Sequence, residues 1–255
     1  MTTRPPWLSV ALLGSLLLVA ASARRPAAPT PDNRDTLSRQ FPLQRGGRVT
    51  LETTQGDIIV QTWNRDLVDV RAERTADSDE DLALVPVDIR SAPDQLDISS
   101  RVPAYAPDLR VRVDYRLRVP AQADLKRIQT DRGRVEITNL AGRAIVRVVN
   151  GAFRLRGFSG ILDASTVNGE IDAVVARVNP GDFIKLETYN GDIRLRLPDG
   201  LRAHYALRTF NGRIESDVPL TVRNTFGPEV VHETNDVEEP LVRLTSVNGS
   251  ISLTR

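Results

Sequence analysis

Two acidic side chains, Glu170 and Asp192, each directly follow a glycine in similar surroundings. If those surroundings are successive turns of a repeat, the carboxylates stand about 5 Å apart. That is near the ~5–5.5 Å at which retaining glycosidases pair an acid with a nucleophile. The competing reading is a solvated turn whose charge is offset by Arg134 and Arg213. Other chemistry is thinner. His204 and His232 are the only histidines, too few for a histidine-rich metal site. No Gly-x-Ser-x-Gly nucleophile elbow, Walker loop or dinucleotide fingerprint occurs. The acidic run 77–81 lacks the glycine and closing glutamate of a calcium loop. No catalytic, cofactor-binding or metal-ligating residue is therefore assigned, and no cofactor is expected. Tyr189 and Phe210 hold equivalent positions in two neighbouring repeats, where they either stack or offer a small sugar-binding surface.

The repeat that would position these residues centres on Asn-Gly and its variants. Its glycines are Gly56, Gly133, Gly151, Gly169, Gly191, Gly212 and Gly249, and the middle five form an array with a period near twenty residues. Five residues before each glycine the side chain is always apolar, from Leu51 through Val146 to Leu244. Two residues after it is again always apolar, from Ile58 through Phe153 to Ile251. Three before it, all but Val148 are threonine or serine. Alternation on both sides of a residue pair that tolerates positive φ describes half-buried strands meeting at a corner.

Isolated hairpins and a solenoid both satisfy that pattern. The residues three after glycine favour the solenoid: Glu136, Arg154, Asp172, Arg194 and Glu215 alternate in sign. Stacked in register at about 4.8 Å, each charge faces an opposite one on the next coil, and hairpins give no reason for this. Alternating patches between 57 and 132 predict further strands, and 77–83 predicts a short helix with acids in its first turn. Between 213 and 248 a degenerate unit passes through Asn224 and Gly227 and then an acidic loop at 236–239. The last coil ends at Leu253-Thr254-Arg255, which predicts an open edge there, suited to self-association.

Composition sets the compartment. The 255 residues include no cysteine, 40% hydrophobic and 5% aromatic side chains, and a net charge of +1. Thiol chemistry, disulfides, lipidation of a leader cysteine and the basic footprint of a nucleic-acid binder are all absent. Of the basic residues only Lys126 and Lys185 are lysines, and no arginine cluster stands out. Residues 1–23 read as a signal peptide: Arg4, an apolar run from Val10 to Ala21, then Ala21-Ser22-Ala23. The other reading is an uncleaved N-terminal anchor. Without that segment basic and acidic residues balance, and no membrane-spanning segment remains.

Leu-x-Thr-x-Asn-Gly-x-Ile at 186–193 and 207–214, Val-x-Tyr-x-Leu-x-Val-Pro at 113–120 and Thr-x-Gly-Asp-Ile-x-Val at 54–60 carry a resemblance. Over about 45–255 the chain resembles a bacterial family of exported β-solenoid domains of unknown function, labelled "putative adhesin". The resemblance implies an all-β, right-handed parallel β-helix-like solenoid with about 20 residues per coil, in the periplasm, at the cell surface or outside the cell. It carries over no catalytic residue.

The organisation expected is a signal peptide (1–23), a flexible proline-rich tether (24–40), a strand-rich N-terminal portion (41–120) and solenoid repeats (121–255). The function expected is a non-enzymatic envelope binding or structural module, its ligand an unidentified glycan or protein. A carbohydrate-active lyase or hydrolase and a self-assembling scaffold are the alternatives.

Overall fold

The computed structural model describes residues 33–220, 222–224, 228–232 and 239–255. The signal peptide, residues 24–32 of the tether, Gly227 and the acidic loop up to residue 238 lie outside the described residues. Apart from one short helix, Asp79–Leu84, the regular elements are strands. That helix starts close to where its acids placed it, with Ser78 Oγ accepting from the Asp81 N–H at 3.1 Å.

The strands form two parallel stacks. The first runs in space through Gln95–Ser100, Arg48–Gln55, Asp124–Arg132, Ala141–Asn150, the second half of Phe153–Asn168, Phe183–Asn190, Leu241–Asn248 and His204–Asn211. The second runs through Arg112–Pro120, Ile58–Trp63, Val135–Thr138, the first half of Phe153–Asn168, Ile171–Arg177, Ile193–Arg196, Ile251–Thr254 and Ile214–Ser216. One strand from each stack makes a rung, which gives eight. The apolar columns of the sequence line the space between the stacks: Leu51, Ile128, Val146, Ala164, Leu186 and Leu244 are fully buried, as are Ile58, Val135, Phe153 and Ile171. Burying each such side chain stabilises by about 1.5–3 kcal/mol.

Antiparallel strands flank both stacks at the first rung and, among the described residues, one stack at the eighth. Beyond the first rung lie Asp88–Ala92 on one stack and, on the other, Leu67–Ala76 followed by Asn33–Pro42. Beyond the eighth rung lie Pro228–His232 and then Val222–Asn224. Asn33–Pro42 begins inside the stretch read as a tether; Leu37 and Phe41 alternate with polar residues and pack against the core, so the segment pairs rather than dangles.

The rungs do not follow chain order. Gln95–Ser100 and Arg112–Pro120 sit outside the earlier 48–63 rung, and 241–254 is inserted between 183–196 and 204–216. The open edge expected at Leu253–Arg255 is therefore absent: Ile251–Thr254 has a neighbour on each side. Side-chain quality explains the order. Val242, Leu244, Ile251 and Leu253 are fully apolar and fully buried, whereas Ile214 is half-buried and Ser216 exposed. An end rung tolerates that; an interior one does not.

Adjacent rungs touch most closely at the glycines. Gly151 has φ +153°, and a Cβ added there would lie 1.8 Å from the Gly133 carbonyl oxygen. Its N–H donates to the Asn168 carbonyl at 2.9 Å, and the same bond recurs from Gly191 to Asn248. The polar column inside the core has its partners here as well. Thr130 donates to the Gly56 carbonyl at 3.0 Å, Thr166 to Gly169 at 2.8 Å and Thr209 to Gly249 at 2.7 Å. These backbone N–H groups thus go to the asparagine carbonyls and the hydroxyls to the glycine carbonyls, and Gly169 accepts from both Thr166 and Thr188.

Gly151→Ala should lower stability by roughly 3 kcal/mol or more, because both the backbone angle and the neighbouring carbonyl reject a side chain. Gly181→Ala, with φ +79° but open space around it, should cost only about 1 kcal/mol. Urea unfolding midpoints of the two variants check this.

Candidate functional site

The charged residues after the glycines join into one ladder along a flank of the stack. Arg112 contacts Asp114 at 2.8 Å and Asp57 at 3.1 Å, and Arg134 contacts Asp57 at 2.9 Å and Glu136 at 3.6 Å. Arg154 reaches Glu136 at 3.7 Å and Glu170 at 3.6 Å; Arg194 reaches Glu170 at 2.8 Å and Asp192 at 3.6 Å. The alternation of sign read from the sequence holds from Glu136 to Arg194. It then stops, since the inserted rung places Ser252 between Arg194 and Glu215.

Glu170 and Asp192, the two carboxylates for which the sequence predicts a glycosidase-like spacing, are both contacted by Arg194. Asp192 also accepts the Ser250 N–H at 2.8 Å, as Asp57 accepts the Arg134 N–H at 2.8 Å at the corner of an earlier rung. These acids cap the backbone of the next rung. A general acid needs a carboxyl facing substrate, whereas Glu170 faces two guanidiniums and Asp192 one. A depression of about 370 Å³ that includes Arg194 is lined also by Arg156, Asp172, Arg196, Ser252 and Thr254, but by neither Glu170 nor Asp192. His204 begins its strand and His232 lies across from Tyr205 on the neighbouring one. Among the described residues no cluster of three metal-ligating side chains occurs.

The corner just before the glycines is different: it is neutral and exposed. Five asparagine amides form a ladder along it. Asn168 donates to Asn150 at 2.8 Å, Asn190 to Asn168 at 2.7 Å, Asn248 to Asn190 at 2.7 Å and Asn211 to Asn248 at 2.8 Å. Sequence reasoning took this column as turn chemistry alone; the register that links its side chains comes only from the stacking. Beside it runs an apolar row, Val149, Val167, Tyr189, Val247 and Phe210. Tyr189 and Phe210 do not stack on each other, because the inserted rung puts Val247 between them. Instead Arg208 packs over the Phe210 ring, 4.7 Å from its centroid.

Towards the first rung the row enters a cleft of about 360 Å³ between the loop 101–107 and Thr54, Gln129 and Asp131. A second cleft of the same size shares Thr54, Val102, Pro107 and Asp131 and extends to Val149 and Asn150. Among the described residues five large apolar side chains are well exposed: Leu84, Tyr105, Val167, Tyr189 and Phe210. Four of them lie on this corner or on the loop that overhangs it.

Residues 47–254 match the Toastrack domain model, DUF4097, which spans the whole two-stack body. The chain belongs to the Toastrack family. The Toastrack chain is also similar to a "putative cell adhesion protein" from Clostridium sporogenes, at 9% identity over 86% of this chain and 99% of that one, with a TM-score of 0.44. A "putative adhesin" from Bacteroides fragilis matches at 13% identity over 88% of this chain and 98% of that one, with a TM-score of 0.38. A "putative lipid binding protein" from Parabacteroides distasonis matches at 12% identity over 88% and 98%, with a TM-score of 0.28. No curated protein matches the Toastrack chain.

Asp57 reports on the flank ladder. Burial pushes its carboxyl up, but the Arg134 N–H and guanidinium, with the charge of Arg112, more than offset this and hold it below its ordinary value. Its contribution to stability is therefore complete above pH ~4, the unfolded value, and is lost as pH falls through the lower folded value. Asp57→Asn should cost about 1 kcal/mol at neutral pH, since these pairs are partly exposed, and nothing near pH 2. Urea midpoints of both proteins between pH 7 and pH 2 check the convergence.

Proposed function

We propose that this Toastrack chain is an exported, non-enzymatic module of the cell envelope that binds along its neutral corner. In this reading the two stacks wind as a right-handed parallel β-helix of about twenty residues per coil, and residues 1–23 are removed on export. One observation carries it: the exposed apolar and amide side chains are in register along one edge, while the titratable groups pair with one another elsewhere. A long, regular, uncharged row suits recognition of an extended ligand, such as a surface glycan or protein, in the adhesin-like manner that the family resemblance implies.

The carbohydrate-active enzyme is the weaker alternative, because Glu170 is used in ion pairs with Arg154 and Arg194, and Asp192 in a pair with Arg194 and as the acceptor of the Ser250 N–H. A self-assembling scaffold is opposed by the outer strand beyond the first rung. The outer strand Asn33–Pro42 directs Arg39 to the same side as buried Val70 and finishes in proline, two devices that discourage a further strand.

Protein recovered from expressing cells should begin at Arg24 and lie outside the cytoplasm; a full-length cytoplasmic product contradicts export. The recovered protein should release no reducing ends from envelope polysaccharides, and Glu170→Gln with Asp192→Asn should change nothing in that assay. Turnover that these substitutions abolish establishes the enzyme instead.

A further inference from the structure

The binding row can be assigned a ligand chemistry from its hydrogen-bonding capacity and its spacing, an inference that rests on the binding-module reading. From Thr54 to Phe210 the corner crosses seven rungs, roughly 29 Å at ~4.8 Å per step. Over the last five rungs, from Val149 and Asn150 to Phe210 and Asn211, neither the apolar row nor the amide row contains a charge. Each asparagine amide has two N–H donors and an oxygen with two lone pairs. Asn168, Asn190 and Asn248 each give one N–H and one lone pair to their neighbours in the ladder. One donor and one acceptor per amide are left, on side chains that are exposed.

A row of groups that each donate and accept, set beside exposed rings, matches a chain of sugar hydroxyls with apolar ring faces. Tyr189 and Phe210 are two rungs apart, about 9.6 Å, a length comparable to two units of an extended β-linked polysaccharide. Arg208 fixes the Phe210 ring on one side while the ring stays 45% exposed. An extended peptide fits less well. It needs a strand edge, and here the corner N–H groups of Gly133, Gly151, Gly169, Gly191 and Gly249 are already bonded to the next rung. A charged polymer finds no counter-charge on either row.

We propose that the corner binds a neutral, extended β-linked glycan lying parallel to the stack, with Tyr189 and Phe210 as its ring platforms and the asparagine ladder reading its hydroxyls. Binding is measured by calorimetry on protein recovered from expressing cells, with chitohexaose and cellohexaose as neutral probes. Polygalacturonate and a proline decamer serve as the acidic and peptide probes. At least one neutral hexasaccharide should bind, and Tyr189→Ala with Phe210→Ala should weaken it at least about tenfold at an unchanged thermal midpoint. Val247→Lys keeps both rings but sets a charge between them, and it should weaken binding by a similar factor; Tyr189→Trp should retain it. The assignment is overturned if neither neutral probe binds, if binding ignores these substitutions, or if the acidic or peptide probe binds more tightly. Reducing-end release in the same samples would instead overturn the module reading, so the two failures remain distinct.

Discussion

Everything in this fold depends on how closely two backbones can approach at the glycine corner. With no side chain on either glycine, the carbonyl of one rung sits where a Cβ of the next would be, as at Gly133 and Gly151. That contact fixes the stacking distance and the register at once. Because a one-residue slip would turn every side chain to the opposite face, the apolar columns and the corner reinforce each other. The core contributes most of the stability, through some four dozen buried apolar side chains. The flank ladder contributes little per pair, since exposed ion pairs are worth about 0–1 kcal/mol. Its effect is on alignment: Arg134, Arg154 and Arg194 each contact carboxylates of more than one rung and so tie neighbouring rungs together.

Much of this was legible in the residues. Period-two alternation around Asn-Gly located most of the strands that form the rungs and their buried faces, and the Glu136–Arg194 run pointed to parallel stacking. The acids of 79–81 marked the one helix. What stayed hidden is non-local. Nothing near Tyr189 or Phe210 states that a rung from 30 residues further along lies between them, so their apparent adjacency was wrong. Two weak signals did exist: Ser216 in a column otherwise apolar, and Ser252 in a column charged from Glu136 to Glu215. Both make sense once 204–216 is the end rung and 241–254 an interior one. The asparagine ladder was hidden for a similar reason, as turn chemistry explains each residue singly while only register explains the series.

The two exposed margins of the corner divide the surface by chemistry. Residues after the glycine are charged and turned toward each other across rungs, which leaves them few free bonds. Over the last five rungs the residues before it are uncharged and retain unused hydrogen-bonding capacity beside exposed rings. The chain thus separates groups that organise the stack from groups available to a ligand by only two or three sequence positions, repeated at each turn. Such a division suits long ligands, because affinity grows by adding equivalent contacts rather than by deepening a pocket.

The interior place of residues 241–254 has a consequence for how the molecule comes to be built. When 204–216 emerges during synthesis, the free edge of 183–196 offers it the same template that 241–254 will later occupy, with matching Asn-Gly and Ile positions. Sequential winding from one end therefore reaches a plausible but mistaken arrangement first. The native order requires that early pairing to stay open or to be undone, and the final segment then acts as a keystone. A chain threaded end-first across a membrane meets the same competition, since 204–216 reaches the far side before 241–254.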